Sequence, residues 1–212
     1  MITIGKDLRG RFGCVRDQGR RPTCLAFATS DAHAALTSPF KELSVEFLFY
    51  NAVQQMAAKN PHEGISIKAI GHALSDTGQP LERDWPYIEC LPTDIAEWHP
   101  PANCPVLKHL LSPSVSPFDG IINLLTQDCP VIIVLKLSLG FHSPDMDGVV
   151  SDTEKLTFTG LHAVVGVGYG TINGTPSLLV RNSWGATWGV NGHALLSKAY
   201  VDNRATEIST IS

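Results

Sequence analysis

Apolar side chains in the first half of the chain recur at the three- and four-residue spacing of helices. In CLAFATSDAHAAL (24–36) this spacing predicts a helix, and Thr23 before it is a candidate N-cap residue. Similar patterns predict a second helix from residue 44 to about residue 58 and a third after Ser66. The third is expected to end at Gly78, because glycine suits the position just past a helix end.

Residues 79–117 follow neither a helical nor a strand pattern, because prolines interrupt them throughout. The stretches QPLERDWPY, HPPANCP and SPSVSP exclude long regular elements, since proline lacks the backbone N–H that helices and sheets use. We expect this segment to cross between two lobes as a fixed strap.

The second half of the chain is rich in short β-branched runs. Strands are predicted after a short helix (118–128) at 130–138, 161–170, 177–184 and 192–198. The pair Asn173–Gly174 between two of these runs is typical of a tight hairpin turn.

The expected fold class is therefore α+β, with a helical lobe followed by an antiparallel sheet or barrel lobe. We interpret residues 1–212 as one domain with a helical lobe over roughly 10–110 and a β lobe over 111–212. The N-terminal segment is expected to cross over to the second lobe.

Composition and charge mainly exclude classes of protein. The 212 residues are 43% hydrophobic and 17% charged, which suits an ordinary globular core. A net charge of −4 with scattered basic residues excludes a nucleic-acid surface. No apolar run is long enough to span a bilayer. The N-terminus shows no signal-peptide core, so we expect cytoplasmic synthesis, with export by a dedicated secretion system left open.

The cysteines do not form a recognisable framework. An odd count with irregular spacing argues against a set of disulfides, and no cysteine lies at zinc-site spacing from another cysteine or a histidine. We therefore expect neither a metal nor a cofactor. The five cysteines are Cys14, Cys24, Cys90, Cys104 and Cys129.

Four residues nevertheless indicate nucleophilic chemistry. Cys24 opens the first predicted helix, where the helix dipole lowers a thiol pKa, and the amide of Gln18 could serve a nearby oxyanion. His162 lies in the apolar run LHAVVGVGYG, and Asn182 ends another strand in VRNSWGATWGVNG. A nucleophile, a base and an orienting amide together follow the logic of acyl transfer. His162 follows Cys24 by 138 residues, within the spacing of about 130–150 known for one class of cysteine protease.

These blocks resemble those of the papain-like cysteine peptidases of the C1 family over nearly the whole chain. DLRGRFGCVRDQG resembles the family's mature start, and LSVEFL, WPY, HAVVGVGYG and VRNSWGATWGVNGH resemble its later blocks. The resemblance implies a two-lobed fold with the active-site cleft between the lobes. It also implies that Cys24 is the nucleophile, His162 the base and Asn182 its orienting partner. Gln18 and the Cys24 backbone N–H would form the oxyanion hole, and Trp184 would shield the His–Asn pair.

The sequence departs from the family pattern around the nucleophile. In RPTCL, Arg21 replaces a disulfide cysteine, Pro22 a glycine and Leu25 an aromatic residue. We interpret Arg21, like Arg20 before it, as part of a solvated charged loop rather than a binding site for acidic substrates.

The substrate-binding positions follow from the same resemblance. The family's NGG turn is matched by HEG, which includes Glu63 and Gly64. The resemblance also implies that Val134 and Ala163 line the S2 pocket, which would be small and apolar in this chain.

The expected function is thiol-dependent hydrolysis of peptide bonds in a polypeptide substrate through a thioester. The family-like pattern starts within ten residues of Met1, so we expect no propeptide. We therefore expect an effector or toxin domain whose activity is restrained by another protein, such as an inhibitor, an immunity protein or a regulatory partner. Two alternatives stay open: a deamidase or transglutaminase-like enzyme on the same fold, and a catalytically inactive binding module.

Overall fold

The structure is a computed structural model that describes residues 1–114, 117–151 and 160–212. The described helices are α1 (Cys24–Ala34), α2 (Val45–Gln55), α3 (Ile67–His72), α4 (Phe118–Thr126), α5 (Leu139–His142) and α6 (Lys198–Arg204). The described strands are β1 (Ile2–Asp7), β2 (Leu111–Ser114), β3 (Val131–Lys136), β4 (Leu161–Ile172), β5 (Thr175–Arg181), β6 (His193–Ser197) and β7 (Ala205–Ile211).

All the described strands join one antiparallel sheet in the order β2-β7-β3-β4-β5-β6, with β1 added to β4. The long strand β4 organises this sheet. Its first half pairs with β3, where Leu135 lies opposite His162, and its second half pairs with β5. Strand β1 crosses from the start of the chain to the far end of β4, where Ile2 lies opposite Ile172.

Both faces of the sheet are covered. One core joins α1, α2 and α3 to one face, through residues such as Phe27, Leu48 and Val165. The second core joins α4 and α6 to the other face, through residues such as Ile121 and Tyr200. Because side chains alternate along a strand, β3 supplies both cores from one short apolar run.

The α+β class is confirmed, and the predicted helices of the first half all form. Helix α2 ends at Gln55, a few residues before the predicted end. Helix α3 continues as a wider turn over 73–77 and stops at Gly78. The φ of Gly78 is +78°, and a Cβ there would lie 2.7 Å from the Leu107 carbonyl oxygen, so glycine is required at this position.

The predicted hairpin turn also forms. Asn173 and Gly174 have φ values of +49° and +82°, and the flanking residues Ile172 and Thr175 pair with each other. Positive φ at both central residues is the geometry that favours Asn-Gly.

One helix cap differs from expectation. Thr23 occupies the N-cap position of α1, but its side chain makes no capping hydrogen bond. Its hydroxyl lies 3.1 Å from the Tyr87 hydroxyl instead. By contrast, the Ser44 and Ser66 side chains accept from backbone N–H groups at the starts of α2 and α3.

Several elements were not predicted, namely β1, β2, β7, α5 and α6. Strand β2 lies inside the proline-rich segment, whose residues 115–116 are outside the described ranges. Strands β1 and β7 are stabilised by partners far away in sequence, β4 for the first and β2 and β3 for the second. Within the described ranges, no helix is long and apolar enough to cross a membrane.

Candidate active site

A cleft of about 400 Å³ lies where α1 meets the sheet. Cys24 and Leu25 from the start of α1 form part of its wall, and His162 and Ala163 from the start of β4 form another part. The structure therefore brings the predicted nucleophile and the predicted base, far apart in sequence, to one cleft. The cleft is also lined by Pro22, Met56, Gly64, Ile65, Ser66, Ile67, Val134, Leu161 and Glu207.

Cys24 is the first residue of α1 and is partly buried. Burial raises the pKa of the Cys24 thiol, because a thiolate loses hydration in the cleft. Hydrogen bonds from the backbone of Ala163 and Leu25 act in the opposite direction but do not outweigh burial. The start of the helix therefore lowers this pKa, as expected, but burial outweighs it, and the pKa of the thiol taken alone is raised.

His162 and Asn182 meet because β4 and β5 are antiparallel neighbours. His162 Nε2 lies 2.7 Å from Asn182 Oδ1, and the Ser183 backbone N–H donates to the same oxygen at 2.8 Å. Because a backbone N–H can only donate, this amide atom is the oxygen, and His162 Nε2 must also donate to it. The neutral imidazole therefore keeps its unprotonated nitrogen, Nδ1, available as a base.

Burial also governs the ionisation of His162. The side chain is 4% exposed, and loss of hydration lowers the pKa of His162 to about 4, although the bond to Asn182 works in the other direction. A lone imidazolium is therefore disfavoured here, as a lone thiolate is at Cys24.

Aromatic rings cover the His–Asn pair. The Trp184 ring centroid lies 4.5 Å from that of His162 and 5.3 Å from that of His142, which stacks nearly parallel to the indole. Phe141 packs edge-on against Trp184. Asn182 is only 2% exposed, so the His–Asn pair is separated from bulk water. Trp184, the residue expected to shield this pair, lies directly against His162.

Gln18 is buried next to this pair and tied to it through Ser183. Its amide Nε2 donates to the Arg21 carbonyl at 2.9 Å, and its Oε1 accepts from the Ser183 hydroxyl at 2.7 Å. An amide NH₂ carries two hydrogens, and the bond to Arg21 uses one of them.

The expected substrate-binding residues separate into two groups. Gly64, Val134 and Ala163 line the cleft. Glu63 is exposed and absent from the described residues of the cleft wall, and its carboxylate accepts from the Asn60 amide at 2.9 Å.

Sequence reasoning missed Glu207, the single acidic residue among the described residues that line the cleft. It lies on β7, which was itself not predicted. The β-branched residues in ATEISTI were the available signal for that strand, namely Thr206, Ile208, Thr210 and Ile211.

Arg21 corrects a second expectation. It is not part of a solvated loop, because only 6% of it is exposed and its guanidinium pairs with Glu46 of α2. Arg20 is exposed, as expected. Among the described residues, no three His, Cys, Asp or Glu side chains group closely enough to hold a metal ion.

The fold and the cleft together define an α+β protein with a cysteine and a histidine in one cleft, and comparison with known proteins identifies its family. The model of the papain family of cysteine proteases matches residues 6–210. The chain therefore belongs to the papain family.

Individual relatives are distant but match across most of this chain. A cysteine protease of Blomia tropicalis is 25% identical over 204 residues, which cover 91% of this chain and 60% of the relative. The oryzain gamma chain of Oryza sativa subsp. japonica is 27% identical over 196 residues, or 89% of this chain and 53% of the relative. The chain thus spans somewhat more than half the length of these relatives.

The fold is also shared with solved structures. Xylellain, a cysteine protease from Xylella fastidiosa, superposes with a TM-score of 0.81 at 24% identity, over 100% of this chain and 87% of that one. At this level of identity the match shows the common fold.

Proposed function

We propose that this protein hydrolyses peptide bonds with Cys24 as nucleophile, His162 as base and Asn182 as its orienting partner. Family membership supports the chemical class. The observation that carries the assignment of residues is the cleft that Cys24 and His162 share, with His162 Nε2 fixed by Asn182.

Burial dictates how the first step occurs. A lone thiolate and a lone imidazolium are each disfavoured, whereas transfer of the thiol proton to His162 Nδ1 leaves the pair with no net charge. The two groups therefore ionise together, and their pKa values belong to the pair. The sulfur then attacks the substrate carbonyl carbon, and the carbonyl oxygen takes up the negative charge.

The remaining steps use the same groups. The second hydrogen of the Gln18 amide and the Cys24 backbone N–H stabilise the oxyanion. His162 returns its proton to the leaving amine as the carbon–nitrogen bond breaks, and a thioester forms. His162 then removes a proton from water, which attacks the thioester and releases the acid and the Cys24 thiol.

The lining of the cleft favours a polypeptide substrate with a small apolar or a basic side chain two residues before the scissile bond, where an S2 pocket would accept it. Val134 and Ala163 offer apolar surface, and Glu207, which lies opposite Val134 in the sheet, offers a negative charge beside it. A protein partner would restrain the activity by binding over this cleft.

The test is a fluorogenic peptide library, with every side-chain class before the cleaved bond, offered to wild type, Cys24→Ala and Cys129→Ala. We expect cleavage by wild type and Cys129→Ala, since Cys129 lies elsewhere, and none by Cys24→Ala. Intact-mass analysis of protein substrates separates the alternatives. A mass gain of about one dalton without cleavage would show deamidation, and no reaction with intact thiol labelling would show a binding module.

A further inference from the structure

Arg21 makes a buried, two-pronged ion pair with Glu46. Arg21 Nη1 lies 2.6 Å from Glu46 Oε2, and Nη2 lies 2.9 Å from Oε1. Nη1 also donates to the Ile88 carbonyl at 2.6 Å. Arg21 is 6% exposed and Glu46 is fully buried. A planar guanidinium matches a carboxylate in this way, whereas a lysine ammonium does not.

Aromatic side chains enclose this pair. The guanidinium carbon lies 5.0 Å from the Tyr87 ring centroid, 5.4 Å from that of Phe49 and 5.9 Å from that of Trp98. Trp98 Nε1 also donates to Glu46 Oε1 at 2.6 Å. The carboxylate thus has partners on both oxygens, and the environment restricts the Arg21 side chain to one position.

The backbone of Arg21 is joined directly to the oxyanion arm, which we define as residues 18–24. The Arg21 carbonyl accepts from the Gln18 amide at 2.9 Å and from the Thr23 backbone N–H at 2.8 Å. Tyr87 supports the same arm, because its hydroxyl donates to the Gln18 carbonyl at 2.7 Å.

We propose that Arg21, held by Glu46, is a positioning residue that fixes the Gln18 amide in the oxyanion arm. This inference rests on the proposed function, in which Gln18 stabilises the oxyanion. The ion pair of the guanidinium with Glu46 fixes the backbone of Arg21. The Arg21 carbonyl accepts one amide hydrogen of Gln18 and so fixes the orientation of the amide. The second amide hydrogen is then directed towards the oxyanion. All five cysteines of the chain are free, so no disulfide holds the oxyanion arm. The ion pair of Arg21 with Glu46 holds it instead, and a reducing agent does not break an ion pair.

The variants are chosen to separate positioning from folding. Arg21→Met alone leaves a buried carboxylate unpaired, so the double variant Arg21→Met with Glu46→Met removes both charges at similar volume. Arg21→Lys keeps the charge and loses the fork. The control is Lys198→Gln with Asp119→Asn, which removes an exposed ion pair of the β lobe.

Two rates are measured for each variant. One is kcat for the best peptide of the fluorogenic library, and the other is the rate of Cys24 alkylation by iodoacetamide. Alkylation displaces iodide and forms no oxyanion, so it does not use Gln18. We expect kcat to fall on the order of 10²-fold in the double variant, because a displacement of about 1 Å costs that much. The alkylation rate and KM should change less than about threefold. The kcat of Arg21→Lys should lie between that of wild type and that of the double variant.

An equal loss in both rates would overturn the proposal, since it would show general disruption of the site, and so would an unchanged kcat. A third readout does not depend on peptidase activity. The Gln18 side-chain amide protons, assigned with Gln18→Ala, should exchange slowly in wild type and fast in the double variant. Slow exchange in wild type with no peptide cleavage would refute the proposed function while leaving the positioning intact, and unchanged exchange in the double variant would refute the positioning.

Discussion

At the scale of single residues, the orientation of His162 depends on one amide oxygen. Asn182 Oδ1 accepts both from His162 Nε2 and from the Ser183 backbone N–H. The second donor fixes the amide, and the amide fixes the tautomer of the imidazole. In the proposed mechanism, Asn182 therefore decides which nitrogen of His162 is available as the base.

Replacing Asn182 by alanine should lower kcat by on the order of 10²-fold, because the ring is then free to rotate and Nδ1 is no longer directed. Steady-state kinetics on the fluorogenic peptide provide the measurement, with Asn173→Ala in the exposed hairpin turn as control. A kcat within about twofold of wild type would show that Asn182 does not orient the ring.

The charge of Glu207 should decide how well basic substrates bind. It lines the cleft, whereas Glu63 is exposed and bonded to Asn60. Glu207→Gln is expected to lower kcat/KM for library peptides with Arg or Lys two residues before the scissile bond by about tenfold relative to those with Val there. Glu63→Gln is the matched control and should leave the ratio unchanged; the reverse pattern would place the specificity at Glu63.

At the scale of elements, α1 is attached to the sheet by charge as well as by apolar packing. Asp31 of α1 pairs with Arg181 at the end of β5 at 2.7 Å and with Arg16 at 2.6 Å. Burial alone would raise the pKa of Asp31, but the two guanidinium groups outweigh it and hold that pKa below its ordinary value. The attachment keeps the helix that carries Cys24 beside the strand that leads to Asn182.

Asp31→Asn should reduce the free energy of unfolding by about 3 kcal/mol, because the buried Arg181 loses its carboxylate and the partly buried Arg16 loses one of its partners. Denaturant titration measures this, and Asp119→Asn at an exposed ion pair should cost less than about 1 kcal/mol. Equal effects of the two substitutions would contradict the assignment of Asp31 as the attachment.

Elements with local signals could be predicted from the sequence, and those held by distant partners could not. The helices of the first half and the hairpin at Asn173–Gly174 follow from spacing and turn chemistry alone. Strands β1 and β7 depend on pairing with β4 and β3, and no local pattern states which segment they will meet. Missing β7 meant missing Glu207 as part of the cleft.

Dependence on distant partners also explains why Arg21 was wrongly predicted to lie in a solvated loop. Arginine next to proline in a loop is usually solvated, and the burial of Arg21 depends on Glu46 and on Tyr87, which reaches it from the proline-rich segment. By contrast, the proposed catalytic residues could be named from the sequence, because Cys24 opens a predicted helix and His162 and Asn182 are polar residues in or at the end of apolar runs.

At the scale of the whole molecule, two buried histidines outside the cleft link folding to pH. Burial lowers the pKa values of His33 and His193 to about 4 each. In the unfolded chain a histidine pKa is about 6.5, so the unfolded state binds more protons between pH 4 and 6.5. Stability is therefore complete above about pH 6.5 and is lost as the pH falls towards 4.

His193→Asn should make this dependence shallower by up to about 1.4 kcal/mol per pH unit, because one proton is no longer taken up on unfolding. Asparagine keeps a donor for the Asn191 carbonyl that His193 Nδ1 contacts. The measurement is the free energy of unfolding from pH 4 to 7.5, with the exposed His99→Asn as control. The same slope in wild type and His193→Asn would exclude this histidine from the linkage.

The pH dependence of Cys24 alkylation tests whether Cys24 and His162 ionise as a pair, as the proposed mechanism requires. Iodoacetamide labelling is followed by mass spectrometry of the Cys24 peptide in wild type and His162→Ala. Without the imidazole, burial keeps the pKa of Cys24 raised above its ordinary value of 9.0. At pH 6 we therefore expect wild type to react at least about 10²-fold faster than His162→Ala, whose rate should rise only above pH 9. Superimposable profiles for the two proteins would contradict the account.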